Sequence, residues 1–345
     1  MFWKMMDVLP VRMVRRQLDK NVFLFGILVV LTLYILYVNR TTSVRIPIPE
    51  GLSDADSKRD SSGKALLKDF VSTRKERRSI MRQACHNSTQ SKNKLDIKNL
   101  DHIIVSDKYQ ALFCFVPKVA CSQWKKVFLL MSGHVDDPKK LDEYSVHFNY
   151  SHLLRYLDQY KKDEIEHRIQ TYKKIIMVRD PLDRLLSAFK NKFHGTGFKD
   201  PTYSNIAKFI VRNYRKDFKQ PVLGDDVTFL EFIRYVTDDG IGAENEHWRT
   251  VMKLCAPCQI EYDFVGKYET LQDDADFIMS QIAPHIDFPA KPKAYGSSNT
   301  SQHLPHYLSQ LPLNYVGKLW NIYKDDFTVF NYSFLTHLND IPYLV

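Results

Sequence analysis

The chain has 345 residues, a formal charge of +9, 44% hydrophobic residues and 13% aromatic residues. That length suits one large domain with a tail or two small ones, and the apolar content excludes a wholly disordered chain. The charge favours acidic partners, but no RNA-binding signature, basic zipper or zinc-finger spacing accompanies it, which ranks nucleic acid below anionic lipid or polyanionic sugar.

Residues 1–21 read as a cytoplasmic tail, because Lys4, Arg12, Arg15, Arg16 and Lys20 precede an uncharged apolar run over 22–38. The run has 17 residues, the short end of a spanning helix, and it exceeds a usual signal core with no small-x-small cleavage site after it. It therefore reads as a single N-terminal transmembrane signal anchor. Residues 39–84 are polar and poor in aromatics and read as a stem, with a helix over 65–82 and a basic cluster, Arg74 to Arg78, on a solvated face. Residues 85–345 read as a lumenal domain. The acceptor triplets at Asn87, Asn149, Asn299 and Asn331 agree with that topology as N-glycosylation candidates.

Ala111 to Val116 is a β-rich segment, followed by the turn Pro117-Lys-Val-Ala-Cys-Ser-Gln-Trp124 and an apolar helix to Met131. Ala120, Trp124, Val127, Phe128 and Met131 recur at helical spacing and define the inward face. A helix start offers N–H groups without intrahelical acceptors, so an anion belongs at Pro117, Lys118, Val119, Ala120, Cys121, Ser122 and Gln123, with Lys118 as a point charge. A second unit of the same design follows. The strand over 174–178 leads into Arg179, Asp180, Pro181, Leu182, Asp183, Arg184, Leu185, Leu186 and Ser187. Asp180 is a good N-cap, Pro181 suits the first helical position, and Ser187 returns about two turns later to the side of the cap. Arg179 and Ser187 together can grip a phosphate.

Between and beyond these units, 161–172 has a charged helical pattern, Thr228 and Glu231 form a capping box, and helices are expected over 246–254, 271–282 and 313–330. Lys190, Lys192, Lys199, Arg212, Arg215 and Lys216 are candidates for a polyanion groove. The five cysteines are Cys85, Cys114, Cys121, Cys255 and Cys258. In an oxidising lumen some should pair, the odd count leaving at least one thiol over, with partners that the sequence leaves open. Cys255 and Cys258 lack a second ligand pair for zinc, so no metal site is expected.

At these residues the chain resembles a known family. The 117–125 segment looks like the 5′-phosphosulfate loop of Golgi carbohydrate sulfotransferases, and 179–193 looks like their 3′-phosphate segment. Within that group the chain is similar to the chondroitin/dermatan 4-O-sulfotransferase and HNK-1 sulfotransferase family. The likeness extends to 245–248, 255–258, 265–270 and 330–333 and covers roughly 85 to 335. It implies a Golgi membrane location, 3′-phosphoadenylyl sulfate as donor and a glycan as acceptor. It also implies an α/β fold of P-loop-like sulfotransferase type, with a mostly parallel central sheet flanked by helices.

Sulfuryl transfer runs on positioning and charge stabilisation, as phosphoryl transfer does. Lys118 would steady the bridging oxygen, and Arg179 and Ser187 would hold the 3′-phosphate. The acceptor hydroxyl needs a base, for which histidine suits near-neutral work. His147 is the first candidate, His247 beside Glu246 the second and His152 a third. The preferred acceptor is the 4-hydroxyl of N-acetylgalactosamine in chondroitin or dermatan. The alternatives are 3-O-sulfation of a terminal glucuronic acid and an inactive glycan-binding relative. A magnesium-dependent phosphotransferase would want a Gly-x-x-x-x-Gly-Lys-Ser/Thr loop, which is absent from the sequence.

Overall fold

The computed structural model describes residues 72–88, 94–137, 141–142, 144–194, 200–217, 220–238, 242–289 and 299–338. The expected tail, membrane anchor and most of the stem lie outside the described residues. Among the described residues, no helix is long and apolar enough to cross a membrane.

Five strands form one sheet in the order β3-β1-β2-β4-β5: β1 (Ile103–Ser106), β2 (Ala111–Cys114), β3 (Arg155–Tyr156), β4 (Lys173–Val178) and β5 (Phe264–Lys267). β2 pairs parallel with β4 and β4 with β5, while β1 pairs antiparallel with both β2 and β3. The sheet is therefore mixed, which corrects the mostly parallel sheet expected from sequence. The reason is local. Only Asp107 to Gln110 separate β1 from β2, with Gln110 at φ 48°. A crossover to a parallel neighbour needs a dozen residues or more, so so short a link closes a hairpin.

The parallel half positions the site. Cys114 lies opposite Ile176, and Val178 opposite Lys267, so β2, β4 and β5 all deliver their following turns to one end of the sheet. β4 and β5 also lie close, because a Cβ on Gly266 would strike the Met177 thioether.

The helix after β2 spans Cys121–Met131 and buries Trp124, Val127, Phe128 and Met131, as its spacing predicts. Trp124 stacks on Phe113 of β2 at 4.8 Å, an anchor whose truncation to alanine would cost roughly 3–5 kcal/mol. The helix after β4 spans Pro181–Phe193, and its Leu182, Leu185, Leu186, Phe189 and Phe193 join a second apolar cluster with Phe232, Trp248 and Tyr323. The capping box is present at Thr228 and Glu231, and the helices Lys162–Thr171, Leu271–Ile282 and Leu313–Val329 fall where the patterns put them. The helix expected over 246–254 is shorter, Val251–Cys255. Thr250 caps it, and Asn245 Oδ1 draws the His247 N–H into a turn before it.

Residues 72–87 are helical, with Met81 buried. The basic cluster there is not simply solvated, since Arg77 meets Asp274 at 2.7 Å and Arg74 pairs with the same carboxylate. Disulfides join Cys85 to Cys258 and Cys114 to Cys255, leaving Cys121 as the free thiol. Asn87, Asn149, Asn299 and Asn331 are all exposed.

Candidate active site

The 117–124 turn takes a backbone form that side chains disfavour. Lys118 has φ 70° and Ala120 φ 55°, both left-handed, flanking Val119, whose N–H closes on the Val116 carbonyl at 3.2 Å. Each left-handed residue costs roughly 1–2 kcal/mol, and the neighbouring β2 and the helix hold them there. Alternating hand turns successive N–H groups toward one concavity, the geometry that cradles anions, at the start of an 11-residue helix.

The second unit meets the first directly. The Arg179 guanidinium reaches the Lys118 carbonyl at 3.4 Å, donates to Thr300 Oγ1 and lies 4.3 Å over the Tyr268 ring. Arg184, 1% exposed, donates to the Pro117 carbonyl at 3.0 Å, to Arg249 at 2.8 Å and to Glu246 at 3.0 Å. Asp180 caps its helix as expected, accepting from the Leu182 and Asp183 N–H groups, and its other oxygen meets His337 at 2.9 Å. Ser187 is buried on the same helix, three residues beyond Arg184. Burial pushes the Asp183 carboxyl up to about 6, against the pull of Arg179, and one of its oxygens has no hydrogen-bond partner.

His147 and His247 both come to this centre, on different supports. His147 lies on a π-helical turn, Ser145–Asn149, with Nε2 at 2.9 Å from Ser122 Oγ. Burial, reinforced by Lys125 and opposed by Glu246, lowers its pKa to about 4, so the ring is neutral at physiological pH. His247 is held by the Tyr203 hydroxyl at 2.8 Å, and burial with Lys192 pushes its pKa well below the ordinary value. His152 sits on the adjoining turn, and neither nitrogen is tied to this centre by a hydrogen bond.

Other residues gather here: Lys125 and Thr300, which sequence reasoning did not single out, together with Glu246 and Lys192, which it named only as the acid beside His247 and as a polyanion-groove candidate. Glu246 binds His102 at 3.2 Å, and that hydrogen bond, despite burial, drops its pKa to about 2. It is a fixed anion and a poor base. Lys125 lies over the Phe115 ring at 4.1 Å and Lys192 over the Tyr203 ring at 4.1 Å. Thr300, 121 residues from Arg179, carries no sequence signal beyond its place in a glycosylation triplet. Around His147, Tyr144 and Phe148 are 63% and 62% exposed with rings 4.8 Å apart. Of the supposed polyanion groove, Arg215 is committed to Asp226 at 2.6 Å and Glu231 at 2.7 Å, and Lys199 lies outside the described residues. Among the described residues, no group of three or more His, Cys, Asp or Glu is arranged to hold a metal ion.

A model of the sulfotransferase family matches residues 101–333. Carbohydrate sulfotransferase 11 of Rattus norvegicus is 35% identical over 277 residues, 76% of each chain. Carbohydrate sulfotransferase 14 of Homo sapiens is 40% identical over 237 residues, 68% of this chain and 60% of its own. Carbohydrate sulfotransferase 8 of Homo sapiens is 35% identical over 300 residues, 83% and 69% respectively. No solved structure matches the chain.

Proposed function

Since the chain belongs to the sulfotransferase family and is an enzyme that transfers sulfate to a glycan, we propose that it carries the sulfuryl group of 3′-phosphoadenylyl sulfate to the 4-hydroxyl of N-acetylgalactosamine in chondroitin or dermatan. The observation that carries this reading is the meeting of the two anion-seeking turns, through Arg179 on the Lys118 carbonyl and Arg184 on the Pro117 carbonyl. One nucleotide with phosphates at both ends can span two turns so joined.

In this reading the 5′-phosphosulfate lies on the backbone from Pro117 to Gln123, over the start of the Cys121–Met131 helix. Arg179, Ser187 and the capped start of the Pro181–Phe193 helix, from Asp180 through Leu186, hold the 3′-phosphate. His147 takes the acceptor hydroxyl's proton. The Ser122 hydroxyl at its Nε2 marks where a hydroxyl can meet that nitrogen. As the acceptor oxygen bonds to sulfur, the bond from sulfur to the bridging phosphate oxygen breaks. Lys118 balances the charge left on that oxygen, and adenosine 3′,5′-bisphosphate departs. His247, fixed by Tyr203, orients the acceptor, and the exposed Tyr144 and Phe148 rings offer flat faces to a sugar.

We read 1–21 as cytoplasmic, 22–38 as a Golgi signal anchor, 39–84 as stem and 85–345 as lumenal, with glycans at Asn87, Asn149, Asn299 and Asn331. The two disulfides, a feature of oxidising compartments, support that topology, as does the exposure of the four asparagines. The test is to incubate the chain with radiolabelled donor and a panel of desulfated glycosaminoglycans and glucuronic-acid-terminated glycans, then analyse the products. Label on the 4-position of N-acetylgalactosamine supports the reading. Label on glucuronic acid replaces its acceptor, and no transfer overturns it.

A further inference from the structure

The Cys121–Met131 helix carries Ser122 and Lys125 three residues apart, on one face. Ser122 Oγ stands 2.9 Å from His147 Nε2, so Lys125 flanks the position at which a hydroxyl can be deprotonated. Lys125 is only 7% exposed. Its ammonium lies 4.1 Å over the Phe115 ring, and that ring stacks at 4.6 Å on His102, the partner of Glu246. Among the described residues, no carboxylate lies within ion-pair distance of Lys125.

Burial lowers the Lys125 pKa and outweighs the pull of Glu246, which acts only from beyond ion-pair distance, being engaged by His102 and His247. A buried ammonium so incompletely balanced is costly, and a folded chain keeps one where a further anion arrives. The donor's charged ends already have receptors in the turn at Lys118 and in Arg179. Of the other cations near His147, Lys125 acts on that ring more strongly than Lys192. We propose that Lys125 receives the carboxylate of a uronic acid adjoining the sulfated sugar, and so selects acceptors that carry one. The inference rests on the sulfotransfer reading above and names the chemistry that its acceptor must have.

Lys125 is the charge that most depresses the His147 ring. A carboxylate on Lys125 would offset that charge and raise the ring's basicity once the right acceptor is bound.

The test uses the full chain with two polymers, desulfated chondroitin and the same polymer with its uronic carboxyls reduced to alcohols. Wild type and Lys125→Met are compared for kcat/KM on both, and for adenosine 3′,5′-bisphosphate affinity by calorimetry. We expect carboxyl reduction to lower wild-type kcat/KM about tenfold or more, the scale of one charge-assisted contact. Lys125→Met should abolish the preference, bringing kcat/KM on the native and reduced polymers within about twofold of each other while the bisphosphate affinity changes less than about twofold. Equal loss on both polymers, weakened bisphosphate binding, or a wild type indifferent to carboxyl reduction each overturns the inference and leaves sulfotransfer standing. If bisphosphate binds but neither polymer is sulfated by the wild type, the proposed acceptor has failed and the inference falls with it.

Discussion

Arg184 Nε donates to the Pro117 carbonyl at 3.0 Å from a fully buried position, which ties the helix after β4 to the turn after β2. Its other two nitrogens hold the chain at Glu246 and Arg249, so one fork fixes three loop carbonyls. Lysine has neither the planarity nor the donors to replace it. Arg184→Lys is expected to lower stability by about 2–4 kcal/mol, from buried carbonyls left without donors. Adenosine 3′,5′-bisphosphate affinity should fall with it. Chemical denaturation and calorimetry measure the two effects.

In the proposed reading His147 is the base, so it is the residue to remove for the chemistry. His147→Ala should lower kcat by about 100-fold or more while bisphosphate affinity stays within a few fold. With its pKa lowered to about 4 in the free enzyme, chiefly by burial, the ring stays unprotonated well below the usual histidine range. The acid limb of kcat/KM should therefore fall near pH 4 and not near 6.5. Weakened donor binding with normal turnover would take His147 out of the base role.

In the proposed reading Arg179 is the residue that separates a 3′-phosphorylated donor from a simple nucleotide. Arg179→Ala should weaken adenosine 3′,5′-bisphosphate binding about 10- to 100-fold, the worth of a charge-assisted pair. Adenosine 5′-phosphate should lose far less. Equal losses for both ligands would assign Arg179 to the fold, through the Lys118 carbonyl and Thr300, and not to the 3′-phosphate.

Asp183 carries a pH signature in stability. Burial raises its folded pKa to about 6, above an unfolded value near 3.9. The folded chain thus binds the extra proton between those values, and stability falls as pH rises through that window, by at most about 2–3 kcal/mol. Above pH 6 the cost is constant; below 4 it is absent. Asp183→Asn should match wild type near pH 4 and exceed its stability at pH 7. Stability curves that stay parallel from pH 4 to 8 would contradict this.

Cys114 ends β2 three residues before Pro117, and its disulfide to Cys255 spans 141 residues of chain. Replacing both cysteines by serine should lower stability by about 2–5 kcal/mol and loosen the turn proposed to receive the phosphosulfate. Removing the Cys85–Cys258 link should cost comparable stability with less effect on bisphosphate affinity, because neither residue adjoins that turn. Melting curves and calorimetry on the two double variants make the comparison.

Local rules made the two turn-and-helix units legible: the apolar face of Cys121–Met131, and Asp180 and Pro181 at the start of Pro181–Phe193. The capping box at Thr228 was readable for the same reason, since its partners are three residues apart. What sequence could not supply was long-range pairing. The β1–β2 hairpin made the sheet mixed, yet its strands are only four residues each, too short to carry a clear period. Thr300 on Arg179, His102 on Glu246 and the two disulfides join residues more than 100 apart, where no spacing pattern operates. Lys125 looked like any helical lysine; its burial and its seat over the Phe115 ring appear only in the fold.

Calorimetric titration of the wild type, Lys118→Ala and Arg179→Ala with adenosine 3′,5′-bisphosphate, with and without magnesium, addresses the joined turns most directly. One site per chain is expected, indifferent to magnesium and weakened about tenfold or more by either substitution. Binding that neither substitution touches, or no binding by a folded wild type, would contradict a single nucleotide gripped from both turns.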